Sequence, residues 1–460
     1  MLVIGLARTG VATALFCATR GAHVTATDLR GEAEIPDAAK LRAAGVRMYL
    51  GSHDAALLDR QELIIPSPGV AADAPLLAAA RSAQIPIWSE IELASRFLHD
   101  GSTLVGITGS NGKTTTTSLL AHILESNGLH TLLAGNIGTP LISVVDRTTD
   151  DTRVVAELSS FQLEWIASFR PHIALLLNLT PDHLDRHGSL EAYARAKARI
   201  FENQQPADAA ILNADDPAAA ALVPSHPQVY WFSRRHPVEQ GTYVRGNEIV
   251  FRSPAMHTDE LVLRLTDIPL PGAHNLENVL AAVTAARLAG VAAQDIPAAV
   301  RTFHGVEHRL EFVAEISGVR YYNDSKATNV DATQKALEAF PGRILIILGG
   351  KDKGSDYTVL RDRLKEKTIL AILIGAAEDK IAGQISGSVP LENAGTLERA
   401  VEIARNAARP GDIVLLAPAC SSFDQFENYE QRGRVFKQLV NAAADRTAQA
   451  RAGARLPAGR

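Results

Sequence analysis

Between Gly106 and Thr114 the chain reads "GITGSNGKT", a glycine-rich loop ending in G-K-[ST] with one residue more between Gly106 and Gly112 than the G-x-x-x-x-G-K-[ST] spacing, set between an apolar run and a helical one. Glycines at such positions let backbone N–H groups approach phosphate oxygens, and the N-terminus of the following helix favours the anion. Lys113 can then reach the β- and γ-phosphates of a nucleotide, and the Thr114 hydroxyl can bind Mg2+. A glycine turn with a surface lysine shares the letters, but the strand before and the helix after favour the nucleotide loop. The remaining threonines, Thr115–Thr117, suit either phosphate oxygens or a helix start. An earlier turn, "GLARTG", keeps Gly5 and Gly10 but has Ala7 where a dinucleotide fingerprint places its second glycine. Asp28 follows the second apolar run, where an acidic residue could meet a ribose or base. Taken alone, that earlier turn is equally well explained by tight packing.

Further along, Glu157 and His183 are hard or borderline ligands suited to Mg2+. His183 lies between Asp182 and Asp185 and alone reads as a loop or cap residue. The preceding strand, "IALLLNL", puts it at a strand end, where sites in such sheets lie. Lys197, in "EAYARAKARIF", alone reads as a solvated helix lysine, one turn after Tyr193 on the same face.

The elements that must position these groups fall into blocks. A chain of 460 residues exceeds one ordinary core, so two or three domains are expected. Up to about residue 95, short apolar runs (Leu2–Ile4, His23–Ala26, Leu63–Pro66) alternate with alanine-rich helical segments. That alternation favours a parallel sheet covered by helices. A second block, 96–305, opens on the phosphate loop, continues through "TRVVAEL" and "HIALLLNL", and ends with the helix "NLENVLAAVTAARLAG". A third, 306–445, repeats strand–helix units at "RILIILGG", "AILIG" and "DIVLLAPA". Proline, glycine and short alternating runs from Pro224 to Pro271 predict a small antiparallel insertion, and residues 446–460 a flexible tail.

A net charge of −5 argues against a general nucleic-acid binder. No uninterrupted apolar run reaches the ~18–20 residues of a membrane span. The two cysteines, Cys17 and Cys420, have no metal-type spacing and suit a reducing compartment. A soluble, cytoplasmic protein that binds neither nucleic acid nor membrane is expected, and a monomer.

Taken in order, "GITGSNGKTTTT", "GNIGTP", "ELSSFQLE", "NLTPDHLDRHGSLEAYARAKARIF", "GAHNLENVLAA", "HRLE", "YYNDSKATN", "LGGKDKG" and "APACSSFDQFENYEQRG" resemble the Mur ligases. These are ATP-dependent amide ligases of peptidoglycan precursor synthesis. The resemblance covers nearly the whole chain, apart from Pro224–Pro269 and the tail. Glu157 with Ser159, Ser160 and Gln162, together with "NDSKATN" and "DQF", suits the D-glutamate-adding branch best. The implied fold is α/β in three domains: a Rossmann-like UDP domain, a central P-loop ATPase-like domain and a C-terminal Rossmann-like domain that closes over the ATP. The implied reaction joins D-glutamate to UDP-N-acetylmuramoyl-L-alanine through an acyl phosphate and a tetrahedral intermediate.

The resemblance also implies roles. The UDP substrate would meet Gly5, Arg8, Thr9, Gly10, Asp28, Leu29 and Arg30, then Ser67, Pro68 and Gly69, with Asn136, Ser159 and Gln162. ATP would meet Gly109, Ser110, Asn111, Gly112, Lys113, Thr114 and Thr115, with Asn275 and Asn278 near the adenine, although asparagines near a helix start are often caps. Arg309 and Asp324 complete that set, and Lys113, His183, Lys197, Arg309 and Lys326 would act in catalysis. Two Mg2+ sites are implied, drawing on Thr114, Glu157, His183 and Lys197, the last carbamylated by CO2 and so turned from cation to anion. D-glutamate would meet Thr328, Lys353, Ser422, Phe423 and Tyr429, a set with the cation and donors a dicarboxylate needs. Ala7, Leu29 and Tyr429 depart from the residues usual in the family, which bears on the uridine contacts more than on the reaction.

A related glutamate ligase, either an L-glutamate-adding Mur enzyme or a relative of folylpolyglutamate synthetase, is the alternative. The separate domain ahead of the phosphate loop speaks against the latter. A nucleotide-gated binding module would be expected to lack at least one of Lys113, Glu157, His183 and Lys197, and all four are present.

Overall fold

The apolar run Leu2–Ile4 forms a fully buried strand, and three more runs join it in parallel: Thr25–Asp28, Arg47–Leu50 and Ile64–Pro66. The first strand lies in the middle, between the second and the fourth. The Arg47–Leu50 strand, unmarked by any strong apolar run, closes one edge, and its residues alternate between exposed and half-buried. Helix Arg8–Thr19 follows the first strand across a turn that Gly5 makes at φ +86°. A Cβ added at Gly10 would run into the Gly5 carbonyl oxygen, so the last position of "GLARTG" must be glycine for the helix to sit on the strand.

The structure, a computed structural model, describes residues 1–35, 37–253, 258–303 and 305–453. The chain divides into two compact units: Met1–Pro269 with His274–Phe303, and Leu270–Ala273 with His304–Arg460. Besides the four-stranded sheet, the first unit holds a nine-stranded one. Third from one edge of it is the strand Thr103–Thr108, flanked in parallel by Arg153–Glu157 and Ile173–Leu176. Register puts Ile107 beside Glu157 and Thr108 beside Leu176, so three loops leave the same sheet edge together. These strands are buried apolar runs, as a parallel sheet covered on both faces requires.

The stretch expected as a separate antiparallel insertion instead prolongs this sheet. Gln228–Ser233 pairs in parallel with Ala209–Asn213, and Gly241–Arg245 pairs in parallel with it in turn. Only then do Glu248–Arg252 and Glu260–Arg264 add on in antiparallel fashion. Proline and glycine marked the turns there, but alternation did not reveal the partners. Residues 254–257 of that stretch lie outside the described residues.

In the second unit a six-stranded sheet runs in the order Glu311–Ile316, Val319–Asn323, Ile413–Leu416, Ile344–Gly349, Thr368–Ile374, Leu391–Gly395. All neighbours are parallel except the first pair. Asn323 and Ile347 both pair with Leu416, so the loops after residues 323, 349 and 416 leave one end of the sheet side by side. The last helix, Tyr429–Gly453, runs past residue 446 into the expected tail, whose end at 454–460 lies outside the described residues. Among the described residues no helix is long and apolar enough to cross a membrane.

Gly10→Ala is expected to lower stability by ~1–3 kcal/mol, the usual cost of overpacking, because the new methyl must push the helix off the strand. Thermal melting of the two proteins side by side checks this; an unchanged midpoint contradicts the packing argument.

Candidate active site

The phosphate loop is held open by fixed partners. Gly109 (φ +151°) and Gly112 (φ +82°) take backbone conformations suited to glycine, and a Cβ at Gly112 would collide with the Asn278 side-chain oxygen. Asn278 Oδ1 also accepts from Thr116 Oγ1 (3.3 Å), and its Nδ2 donates to Asn275 Oδ1 (3.2 Å). The two asparagines expected near the adenine therefore brace the back of the loop. On the other side the loop is laced to the segment after Ile173–Leu176. Ser110 Oγ donates to Thr180 O (2.9 Å), and the Asn111 N–H donates to Asn178 Oδ1 (2.8 Å). Thr114 and Thr115 are buried at the start of helix Lys113–Ser126, whereas the Thr117 hydroxyl is turned back onto Lys113 O (2.7 Å).

Lys197 is not a solvated lysine. It lies on helix Leu190–Ala198, is 1% exposed, and donates to Gly109 O (2.8 Å) and Thr108 Oγ1 (3.4 Å). Its ammonium stands 4.6 Å from the Tyr193 ring centre. Burial first, and Lys113 second, push its pKa well below the usual lysine range, against the opposing pull of Asp182 and Glu157. Lys113 donates to the same Gly109 oxygen (2.8 Å) and to Ser110 O (2.9 Å). Tyr193, whose phenol burial pushes up to about 12, keeps its proton beside Ser110.

Glu157 is buried at the end of its strand. Its Oε1 accepts from Asn136 Nδ2 (2.9 Å), while Oε2 is buried with no hydrogen-bond partner. A buried carboxylate oxygen left open is what a cation would fill. His183 departs from its expected strand-end place. The strand stops at Leu176, and His183 is the left-handed (φ +51°) N-cap of the short helix Leu184–His187. Its backbone N–H is held by Asp182 Oδ1 (2.9 Å), and its half-exposed ring packs edge-on against Phe161 (4.9 Å between centres). Among the described residues no three His, Cys, Asp or Glu side chains lie close enough to hold a metal ion.

A cleft of about 970 Å³ opens in the same unit. Its walls include Gly5, Arg8, Thr9, Asp28, Leu29 and Arg30 from the four-stranded sheet, Ser67, Pro68 and Gly69 after its last strand, and Asn136 and Gln162 from the larger sheet. Gly10 and Ser159 stand outside that lining: Gly10 works by packing, and Ser159 forms a capping box with Gln162. Helix Arg8–Thr19 presents an N-terminus without side-chain cap or acidic residue to this cleft, which favours an anion there. Asp28 has its oxygens engaged by Arg30 (3.0 and 2.8 Å) and by the Leu6 N–H (2.6 Å). The Arg30 bond, above all, holds its carboxyl well below the usual carboxylate range, against the effect of burial. Asp28 thus shapes the turn as well as facing the cleft. Asn136 connects the two regions, lining the cleft while donating to Glu157.

In the second unit the loops after residues 323, 349 and 416 gather the remaining expected residues. Asp324 is buried and its carboxyl is pushed up to about 7, by burial first and against Arg309, the Leu310 N–H and Lys326. Buried Arg309 Nε has no hydrogen-bond partner. Lys326 stands 5.5 Å from the Tyr429 ring centre, and the Thr328 N–H donates to Lys326 O (2.8 Å). Lys353 is exposed on one loop, and on its neighbour Ser422 is buried and Phe423 is 64% exposed.

Three family models match the chain in succession: the MurD-like N-terminal domain of Mur ligases (residues 1–89), the Mur ligase middle domain (107–286) and the Mur ligase glutamate ligase domain (308–420). A UDP-N-acetylmuramoylalanine–D-glutamate ligase of Acidobacterium capsulatum is 56% identical over 96% of both chains. One of Koribacter versatilis is 52% identical over 97% of this chain and 98% of its own. The chain belongs to the Mur ligases. It is therefore a ligase, and its three-domain α/β fold is that of the family. Two solved structures share the fold at 19% identity and TM-score 0.57, each over 96% of this chain and 99% of its own: a pseudomurein peptide ligase of Methanothermus fervidus and a UDP-N-acetylmuramate–alanine ligase of Thermotoga maritima.

Some working parts of this Mur ligase carried no signal that sequence reasoning used. Asn178 and Thr180, in "NLT" straight after a strand, hold the phosphate loop. His53 lines the cleft and bonds Thr27 Oγ1 (3.0 Å), which nothing in its neighbourhood announced. Arg186 pairs with Glu164 (2.6 Å) and donates to Pro68 O (3.2 Å) and Val70 O (2.8 Å), tying the His183 helix to the cleft wall.

The Asp28 geometry sets a pH dependence. Its folded pKa is depressed, so its stabilisation is fully present above the ordinary Asp value of ~3.9 and is lost as pH falls toward the folded one. The urea midpoint of Asp28→Asn is expected below that of the natural protein by a constant margin from pH 7 to 5, narrowing below about pH 4. A margin unchanged down to pH 3 contradicts the assignment.

Proposed function

We propose that this Mur ligase joins D-glutamate to UDP-N-acetylmuramoyl-L-alanine with conversion of ATP to ADP and phosphate, in cytoplasmic peptidoglycan precursor synthesis. Its relatives carry that name over nearly their full length. The carrying observation is the Asn136–Glu157 bond, which joins a cleft suited to a nucleotide diphosphate to a buried carboxylate at the end of the strand paired with the one that leads into the phosphate loop. The free carboxylate of the muramoyl-alanine would take the γ-phosphoryl group of ATP, giving an acyl phosphate and ADP. The amine of D-glutamate would then add to that carbonyl, and the tetrahedral intermediate would expel phosphate and leave an amide. Both steps crowd anionic oxygens, so fixed cations and loop N–H groups are what the site must supply.

Lys113 and the backbone of Gly109–Thr115 would bind the phosphates. Lys197, whose burial favours the neutral amine, is suited to add CO2 and lose a proton to give a carbamate. With the open Oε2 of Glu157 and the Thr114 hydroxyl, that carbamate would hold Mg2+. Mg2+ bound there would neutralise charge between phosphoryl and carboxylate oxygens. His183 would serve a second ion. Arg309, Asp324 and Lys326 would handle the nucleotide and phosphate, and Lys353, Thr328, Ser422, Phe423 and Tyr429 the glutamate. Domain limits at 95 and 305, and a monomeric state, complete the proposal; the two cysteines, both buried free thiols, suit the cytoplasm.

The decisive assay is phosphate release from ATP with each substrate alone and with both. Release is expected only when the nucleotide precursor and D-glutamate are both present; release that ignores either, or prefers L-glutamate, contradicts the proposal. In the same assay Lys197→Ala is expected to lose about 10²–10³-fold or more in rate, with part recovered in formate or acetate. Full activity in Lys197→Ala would return this residue to a packing role.

A further inference from the structure

Tyr357 is fully buried in the second unit, outside every set of residues assigned above. Its hydroxyl lies 2.8 Å from Asp352 Oδ1 and 2.9 Å from Cys420 Sγ. A phenol has one proton, and a carboxylate can only accept, so Tyr357 donates to Asp352 and the Cys420 thiol donates to Tyr357. Burial, chiefly, holds the phenol above its usual range, which keeps that proton in place. Asp352 is held further by Lys380 (2.6 Å) and by the Ser355 N–H (3.1 Å).

The two residues that Tyr357 joins belong to different loops. Asp352 precedes Lys353, and Cys420 lies two positions before Ser422. Between them the loops pair at one antiparallel bridge, Lys351 with Ser421, through N–H···O bonds of 2.9 and 3.2 Å, and Ser421 Oγ adds a third bond to Lys351 O (2.9 Å). The bridge fixes the loops where they touch. The hydroxyl of Tyr357 fixes them again on the inner side, immediately ahead of Lys353.

We infer that Tyr357, with Asp352 and Lys380, is a positioning group that sets the spacing between Lys353 and Ser422, and so the fit of a dicarboxylic amino acid between them. This rests on the proposed assignment of Lys353 and Ser422 to glutamate. A cation and a hydroxyl can grip two carboxylates only at one separation, and charge-assisted bonds weaken quickly off that geometry. Tyr357 touches no substrate; it acts through the loops.

The test is steady-state kinetics on Tyr357→Phe, Lys380→Met and Lys353→Ala, each with its melting temperature. Tyr357→Phe is expected to raise KM for D-glutamate about 5–10-fold, the loss of one bridging hydrogen bond. KM for ATP and for the nucleotide precursor should stay within about twofold. Lys380→Met, at a half-exposed position, is expected to raise KM for D-glutamate about threefold and serves if Tyr357→Phe does not fold. An unchanged KM for D-glutamate, or an equal rise for all three substrates, overturns the inference however Lys353→Ala behaves. If Lys353→Ala leaves D-glutamate saturation unchanged, the pocket assignment fails and the inference falls with it, whereas a raised KM in Lys353→Ala beside an unchanged KM in Tyr357→Phe overturns the inference alone.

Discussion

Two lysine amines share one carbonyl oxygen. Lys113 and Lys197 each donate to Gly109 O at 2.8 Å, so their nitrogens stand no more than about 5.6 Å apart. At an effective dielectric of ~20, two unit charges at that distance repel by ~3 kcal/mol. Desolvation adds to this at Lys197, which is 1% exposed and bonds a carbonyl and a hydroxyl beneath an aromatic face, with Asp182 and Glu157 pulling the other way. Lys113 is half-buried and keeps two carbonyl acceptors. Burial and the neighbouring ammonium both favour the neutral form of the Lys197 amine. The direction of its pKa agrees, and burial outranks Lys113 as the cause.

The surrounding fold is arranged so that this pairing can exist. A parallel sheet sends its loops out at one edge, and the register of three strands brings Glu157, the phosphate loop and the Asn178–Thr180 segment side by side. Helix Leu190–Ala198 then has to lie against that edge to bury Lys197. Asn278 supports the loop from behind, and Asn136 carries the contact outward to the cleft. The second unit repeats the plan with its own parallel sheet, whose adjacent loops gather Asp324, Lys326, Lys353 and Ser422.

What was legible in the sequence was mostly local. The phosphate loop depends on glycines and a helix start within a few residues, and "GLARTG" with Asp28 likewise describes one strand–turn–helix unit and the strand after it. Their places in the fold match the reading, as do the strand–helix alternation and most strand positions. Long-range partners were not legible. Nothing near Lys197 in sequence says that Gly109, 88 positions away, will accept its hydrogen bond; only the family resemblance marked it. Asn275 and Asn278 read as caps or nucleotide contacts, because the approach of Asn278 to Gly112, and the Asn275 bond to Asn278, exist only once the helix lies behind the loop. His183 was placed at a strand end because the apolar run before it extends past the point where pairing stops. Tyr357 gave no signal, since a single aromatic in a helical run looks like any core residue until its hydroxyl meets two loops.

The account turns on Lys197 being a neutral amine that takes up CO2. The most direct measurement is a carbon-13 NMR spectrum of the protein equilibrated with carbon-13-labelled bicarbonate, beside the same spectrum of Lys197→Ala. The account requires a carbamate resonance in the natural protein that is absent from Lys197→Ala and grows with added bicarbonate. The same resonance in both proteins, or in neither, would contradict it.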